Sequence, residues 1–249
     1  MDEAHPCYQR VLLKLSGEAL KGDEASGISR AVITGIAGEI KQIHDLGIEI
    51  AIVIGGGNFF RGDRSNNLGI ERTAADYMGM LATIINGIAL RDVMEKIGLP
   101  ARLVSALEIK AAAEPFNRGA VLHYLENRQV VIFAAGTGNP LFSTDTAAAL
   151  RAIEIKADVF LKATLVDGAY SDDPRKVENS TKFDHITYEE VIKRKLKVLD
   201  ITAVTLCQEH QMPIKIFNIT TRGNILKAIT DGHIGTIISN VEEKTGAAK

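Results

Sequence analysis

The stretch Ile48–Gly62, IEIAIVIGGGNFFRG, decides the fold. Its first seven residues are apolar except Glu49, and three consecutive glycines close them. A short continuous apolar run reads as a strand buried on both faces, the kind found in a parallel sheet. The glycines stop the strand and let backbone N–H groups come close to an anion. The same grammar recurs along the chain. Val11–Ser16 (VLLKLS) meets a turn at Gly17, and Gln129–Ala134 (QVVIFA) meets Gly136-Thr137-Gly138. Ala101–Val104, Val159–Leu161, Ile214–Phe217 and Thr236–Ile238 read as further strands. Helices are expected from Ser29, as N-cap, to about Leu46, and over Thr73–Ile97, Pro115–Glu126 and Asp145–Lys156. Three more are expected over Thr187–Lys195, Ala203–His210 and Arg222–Ile229. Strands alternating with helices predict an α/β protein, a three-layer α/β/α sandwich around a mostly parallel sheet. The polar run Ser171–Asp184 reads as an exposed loop or a boundary between lobes.

Composition sets the outer limits. The chain has 249 residues, 46% hydrophobic and 24% charged, with a formal net charge of −2. That is the composition of an ordinary globular domain, and it offers no electrostatic footprint for DNA or an anionic membrane. Two cysteines, Cys7 and Cys207, cannot staple a chain of this size, so a reducing, cytoplasmic setting is expected. Cys207 and His210 are spaced C-x-x-H, but no second ligand pair accompanies them, so no zinc site is expected. The opening MDEAHPCYQR lacks the character of a signal peptide. The apolar stretch Tyr77–Leu90, broken by Thr83, Asn86 and two glycines, falls short of the roughly 18 apolar residues of a membrane span. Met78, Met80, Leu81, Ile84, Ile85, Ile88, Leu90 and Val93 surround most of the Thr73–Ile97 helix. A helix apolar all round is buried in the core or in a subunit contact, and a subunit contact is expected here. The basic run Lys193–Lys197 follows Glu189 and Glu190 and reads as a solvated helix end rather than a nucleic-acid site.

The glycine clusters fall just after strands, at the carboxyl edge where open α/β sheets bind ligands. Each cluster alone is equally a tight structural turn. Three at one edge, each near a cation or hydroxyl, point to phosphate. Lys14, Arg61 and Lys162 supply positive charge there. Asp145, at a helix start, is placed to orient a lysine, and Asp200 is a second candidate, although either acid also suits a helix start. The Walker spacing is absent because no Gly-Lys dipeptide occurs, and neither Gly55-x-Gly57 nor Gly136-x-Gly138 carries the third glycine of a dinucleotide fingerprint. No G-x-S-x-G elbow occurs either. Phosphoryl transfer without a Walker loop remains, because it needs positioning and charge neutralisation more than a covalent nucleophile.

Five segments carry a resemblance: KLSGEAL (Lys14–Leu20), GGGNFFRG (Gly55–Gly62), DYMGMLAT (Asp76–Thr83), GTGNPLFSTDTAAALRAIEI (Gly136–Ile155) and LKATLVDGAYSDDP (Leu161–Pro174). Together they resemble the bacterial UMP kinases, a branch of the amino acid kinase family, from about Arg10 to about Ile238. The resemblance implies one amino acid kinase domain over 1–249. Roughly 10–160 would form a UMP-binding and oligomerisation lobe, and 161–240 an ATP-binding lobe. It implies transfer of the ATP γ-phosphoryl group to UMP with Mg²⁺, by a cytoplasmic homohexamer built from dimers, in pyrimidine nucleotide biosynthesis. Lys14, Leu15, Ser16, Gly17, Gly57 and Arg61 would hold ATP phosphates, and Thr164, Tyr170 and Asp173 would line the adenosine site. Gly56 and Asp76 would contact UMP, with Thr137, Gly138, Asn139, Pro140, Leu141, Phe142, Ser143 and Thr144 wrapped around its uracil and ribose. The loop Gly22, Asp23, Glu24, Ala25, Ser26, Gly27 keeps the flanking glycines of a GTP activator site but varies in the middle, and UTP inhibition is implied from the family alone. No protein metal ligand is read from the sequence. The alternatives are another phosphotransferase of the same family, acting on a carboxylate, carbamate or isopentenyl phosphate, and a non-catalytic nucleotide-binding or storage protein.

Overall fold

A computed structural model describes residues 7–60, 69–172, 177, 179–231 and 233–240. Its centre is the strand β1 (Arg10–Leu15), which is buried because both its faces meet apolar layers. β2 (Glu49–Ile54) pairs with it on one side and β6 (Val159–Thr164) on the other, both parallel. β5 (Val130–Ala134), β3 (Ala101–Ser105) and the two-residue edge β4 (Glu114–Pro115) extend the sheet beyond β2. β10 (Ile214–Asn218), β11 (Thr236–Ile238) and β9 (His185–Ile186) extend it beyond β6. All neighbours in this nine-stranded sheet are parallel except β10 and β11. A small antiparallel hairpin, β7 (Ala169–Tyr170) with β8 (Lys182–Phe183), stands apart. The order leaves β1 toward β2 and returns on its other side at β6. β1 and β6 therefore flank the topological switch point, where such sheets open a ligand crevice.

Side-chain alternation sends each strand's residues to two layers. Val11, Leu13 and Leu15 face α2 (Arg30–Asp45), α3 (Arg72–Lys96) and α8 (Asn224–Thr230). Leu12 faces the opposite layer of α4 (Arg118–Glu126), α5 (Thr144–Glu154), α6 (Tyr188–Lys193) and α7 (Ile201–Glu209). The expected three-layer sandwich is thus present. α2 buries Ile33, Ile36, Ala37, Ile40 and Ile43, a helical stripe of one face. Cys207 lies buried in the second layer, and burial pushes its thiol up to about 12, so it packs as a small hydrophobe.

Several boundaries differ from the sequence expectation. Gly17 opens a one-turn helix, α1 (Gly17–Leu20), instead of a turn. The helix expected from Pro115 starts at Arg118, because Asn117 caps it by accepting from the Ala120 N–H at 3.0 Å. Glu114 and Pro115 instead pair with β3 at the sheet edge, where proline loses no ladder bond. The polar run after Ser171 contributes β8. α3 is not buried all round. Met80, Ile84, Leu90 and Met94 face the core, whereas Tyr77, Met78, Leu81, Ile85 and Ile88 are between 37% and 50% exposed. By length and composition α3 passes as a membrane span, with a mean hydropathy of 1.2 over its best window. That window is 44% buried in the fold, so the helix is an element of this domain's own core.

The loops after β1 and β2 pack backbone to backbone. A Cβ on Gly17 would lie 2.5 Å from the Gly57 nitrogen, and one on Gly55 would lie 2.9 Å from the Gly17 nitrogen. A Cβ on Gly56 would meet the Gly79 carbonyl oxygen on α3 at 2.6 Å. These glycines therefore serve close protein packing first; their freedom to meet an anion is secondary. Two buried amides lock the same loop. Asn86 Nδ2 donates to Asn58 Oδ1 at 2.8 Å and to the Gly55 carbonyl at 2.7 Å. Asn58 Nδ2 donates to Asn86 Oδ1 at 2.9 Å and to the Gly27 carbonyl at 2.8 Å. Asn86→Ala strands a buried acceptor on Asn58 and one on Gly55. Urea unfolding should show a loss of about 2–4 kcal/mol with an unchanged slope. A loss under about 0.5 kcal/mol, the range of ordinary surface changes, would mean the amide pair is dispensable.

Candidate active site

Lys14 and Lys162 are register partners on the adjacent strands β1 and β6. Both side chains point to the α5 layer, and Asp145 meets them from the first turn of α5. Lys14 Nζ lies 2.8 Å from Asp145 Oδ1, and Lys162 Nζ lies 2.5 Å from Oδ2. The first contact is an ion pair outside hydrogen-bond geometry; the second is also a hydrogen bond. Burial acts to raise the Asp145 pKa, but the two ammonium groups outweigh it and hold the carboxyl at about 2. Burial likewise draws the Lys162 pKa below its ordinary value, with Asp145 opposing. Asp145 is thus an anion that fixes two cations side by side.

The N-cap of α5 is Ser143, whose hydroxyl accepts from the Asp145 and Thr146 N–H groups at 3.0 and 3.2 Å. That leaves the Asp145 carboxylate free for the lysines. Asp200 caps α7, accepting from the Ala203 N–H at 2.8 Å. It also accepts from the Ser143 hydroxyl and, at 2.9 Å, from the Thr146 hydroxyl. Its described hydrogen bonds therefore go to a helix end and two hydroxyls, and it reaches Lys162 through its charge alone. Asp200 thus ties the start of α7 to the start of α5 and acts on Lys162 by charge rather than by a described hydrogen bond. Lys162 Nζ also donates to the Val198 carbonyl at 2.5 Å.

Two cavities open on either side of β1. The smaller, about 200 Å³, lies over β2 and β5 and is lined by Gly56, Gly57, Asp76, Thr137, Phe142 and Thr144 among others. The larger, about 500 Å³, lies over β6 and is lined by Lys162, Thr164 and Tyr170 among others. Asp76 Oδ2 accepts from the Leu141 N–H at 2.8 Å, so it holds the 137–142 loop over the smaller cavity. Gly138 and Leu141 are left-handed there, at φ 80° and 74°. Asn139 bonds only Thr137 in the described contacts; it and Leu141 are exposed, and Pro140 between them is half-buried. Leu15 is fully buried, which leaves only its backbone for a ligand, and the Leu15 carbonyl already accepts from the Gly55 N–H. Ser16 is the N-cap of α1, without a side-chain cap bond, beside Gly17. The Tyr170 hydroxyl donates to Asp167 at 2.5 Å. Gly22–Ser26 is an exposed loop, and its end at Gly27 is bonded to Asn58. Arg61 and Asp173 lie outside the described residues.

Three features were not expected. Thr83 lines the smaller cavity, donating to the Met80 carbonyl and accepting from the Ala135 N–H, both at 2.6 Å. Ala135 is itself left-handed, at φ 62°. A polar residue on the core face of an apolar helix was the available signal. The Asn58–Asn86 pair carried the same signal. The basic run after α6 was the third. The helix ends at Lys193, and the exposed Arg194, Lys195 and Lys197 that follow it line the larger cavity, so this solvated helix end also borders a pocket.

Comparison with known proteins follows this geometry. The model of the amino acid kinase family matches residues 9–218. A uridylate kinase of Limosilactobacillus reuteri is 51% identical over 232 residues, 93% of this chain and 97% of that protein. The crystal structure of UMP kinase from Bacillus anthracis superposes with a TM-score of 0.92 at 37% identity, covering 96% of this chain and 98% of that one. UMP kinase from Ureaplasma parvum gives 0.87 at 35% identity, covering 93% and 99%.

The folded Asp145 pKa of about 2 lies below its ordinary 3.8. The carboxyl therefore contributes stability that is complete above 3.8 and lost as pH falls through about 2. Asp145→Asn should cost about 3–5 kcal/mol at neutral pH, because two buried ammonium groups then face each other. The variant should also lose stability less steeply than the native chain as pH falls from about 4 to about 2. Parallel acid profiles for the two proteins, followed by urea unfolding, would contradict this assignment.

Proposed function

The chain belongs to the amino acid kinase family, and we propose that it transfers the γ-phosphoryl group of ATP to UMP, giving ADP and UDP. The observation that carries the reading is the Lys14–Asp145–Lys162 trio, whose Lys162 lines the larger cavity and whose Asp145 follows Thr144 of the smaller one. A donor in the larger cavity and an acceptor in the smaller one bring their phosphates together over β1. Phosphoryl transfer runs through a loose transition state whose charge sits on the equatorial oxygens. Lys14 and Lys162 offset that charge, and Asp145 keeps both ammonium groups aimed without reorganisation. Lys14, only 8% exposed, acts where water screens little. Asp76 and the 137–144 loop hold the nucleoside of UMP, while Thr164 and Tyr170 take the adenosine. The two lobes then correspond to the cavities, residues 10–160 around the acceptor and 161–240 around the donor.

Both oxygens of Asp145 are engaged by lysines, and among the described residues no group of three His, Cys, Asp or Glu is arranged for a cation. Mg²⁺ accompanying ATP would be held by the nucleotide phosphates and water, and would supply positive charge at those phosphates. The Gly22–Gly27 loop is the place assigned to a GTP activator, and its bonds to Asn58 connect it to the glycine loop after β2. Inhibition by UTP and work in the cytoplasm complete the reading, the latter supported by two free thiols. The outward stripe of α3 is assigned to a second copy of the chain, within a homohexamer built from dimers.

A coupled ADP-release assay with UMP, CMP, acetylglutamate and carbamate should show turnover with UMP far above the others. No turnover with UMP would refute the reading, and turnover with acetylglutamate or carbamate would favour another phosphotransferase of the family. Lys14→Ala should lower kcat by about 100-fold or more with a near-native fold. Asp76→Asn should raise KM for UMP by about tenfold and leave KM for ATP within about twofold. Equal shifts in both constants would make Asp76 structural only. Leu81→Glu with Ile85→Glu should move the sedimenting species to the monomer, because buried unpaired carboxylates cannot sit in an apolar contact.

A further inference from the structure

We propose that Lys195 and Lys197 form a cationic arm that grips the phosphate chain of the nucleoside triphosphate in the larger cavity. The inference rests on the phosphotransfer reading above and extends it to residues that reading does not use.

The arm is built by the way α6 ends. The Arg194 N–H bonds back to the Glu190 carbonyl, Lys195 turns left-handed at φ 52°, and the Leu196 N–H bonds back to the Val191 carbonyl at 3.1 Å. The chain then runs as a short strap along the cavity, with 194–198 all lining it. Leu196 and Val198 pack on the second core layer, while Lys195 and Lys197 remain exposed at the cavity. The far end of the strap is pinned by the hydrogen bond from Lys162 Nζ to the Val198 carbonyl. The strap is thus tied to the lysine that faces the transferred group.

Charge in the cavity identifies the ligand class. The Lys162 ammonium is offset by Asp145 and the Arg194 guanidinium by Glu190 at 2.9 Å. Lys195 and Lys197 have no ion pair among the described residues, and the cavity's other charged lining residue is Asp172. Two unspent ammonium groups over a cavity walled by Thr164, Val166 and Tyr170 suit an elongated polyanion carrying a flat base. Long lysine side chains on a surface strap can follow a polyphosphate as it moves from capture to transfer. Exposure to solvent makes the attraction salt-sensitive and places it in binding more than in the chemical step.

The test is calorimetric titration of Mg·ATP, Mg·ADP and AMP into the native protein and into Lys195→Ala/Lys197→Ala, alongside steady-state kinetics. The double variant should bind Mg·ATP about tenfold more weakly, with a smaller loss for Mg·ADP and little for AMP. KM for ATP should rise by a similar factor, with kcat and KM for UMP within about twofold. Lys195→Arg/Lys197→Arg should restore most of the affinity. Lys193→Ala, on α6 and outside the cavity, should match the native protein. Equal Mg·ATP binding by the native and double-variant proteins overturns the arm and leaves the kinase reading intact. So does a loss that is the same for Mg·ATP, Mg·ADP and AMP. A native protein that binds no Mg·ATP overturns both.

Discussion

A carboxylate held almost out of water between two ammonium groups is what lets both cations sit there side by side. Remove the carboxylate and the two ammonium groups are desolvated without compensation. That constraint governs the centre of this protein. Lys14 and Lys162 must sit at matching heights on neighbouring strands, which requires the β1–β6 pairing in its observed register. A slip of one residue would turn either lysine to the α2 layer and bury it among isoleucines. Asp145 must arrive in the first turn of α5 with its side chain free, which requires another residue to cap the helix. Ser143 does so, and Asp200 steadies Ser143 while capping α7. The trio thus recruits two strands and two helix starts.

The smaller cavity depends on a different device, a loop held in strained backbone by one helix. Ala135 and Leu141 occupy left-handed conformations that cost an L-residue roughly 1–2 kcal/mol each. Each is held at its own N–H by a side chain of α3, Ala135 by Thr83 and Leu141 by Asp76. The helix interior also supplies Asn86 to the glycine loop after β2. One rigid element therefore sets both walls of the smaller cavity. Strain maintained by such bonds keeps a loop pre-shaped for a ligand instead of leaving the ligand to order it.

Much of this was legible from residues alone because apolar runs and glycine stops have local causes. The strands over Val11–Ser16, Ile48–Ile54 and Gln129–Ala134 appear within a residue or so of their expected bounds. Asp145 as an anchor for lysines was legible from its place after a hydroxyl-rich turn. The rest depends on distant partners. β4, β7, β8 and β9 are two residues long and exist only where another strand lies alongside. The close approach of Gly17 to Gly57 follows from β1 lying beside β2, and a glycine run alone cannot distinguish a packing need from a phosphate cradle. The path of Arg194–Lys197 turns on where α6 stops, which the string of cations conceals. Asp200 acts on Lys162 through its charge, but its hydrogen bonds to a helix end and two hydroxyls depend on where α7 meets α5, which its place in the chain does not reveal.

α3 unites these observations. Its inner face carries Asp76, Thr83 and Asn86, the three side chains that shape the smaller cavity and the glycine loop. Its outer face carries Leu81 and Ile85, about half exposed at 48% and 50%. Polar residues set among the core-facing apolar ones, with further apolar residues exposed on the outer face, depart from the usual order of a surface helix. The inner polar groups are needed because loop N–H and C=O groups are buried there and require partners. The outer apolar groups are disfavoured in water and lower in energy when covered. A partner seated on that stripe would therefore hold α3 at the same helix turns that carry Thr83 and Asn86. The exposed stripe and the wall of the smaller cavity belong to a single rigid body, so a contact that stiffened one would stiffen the other.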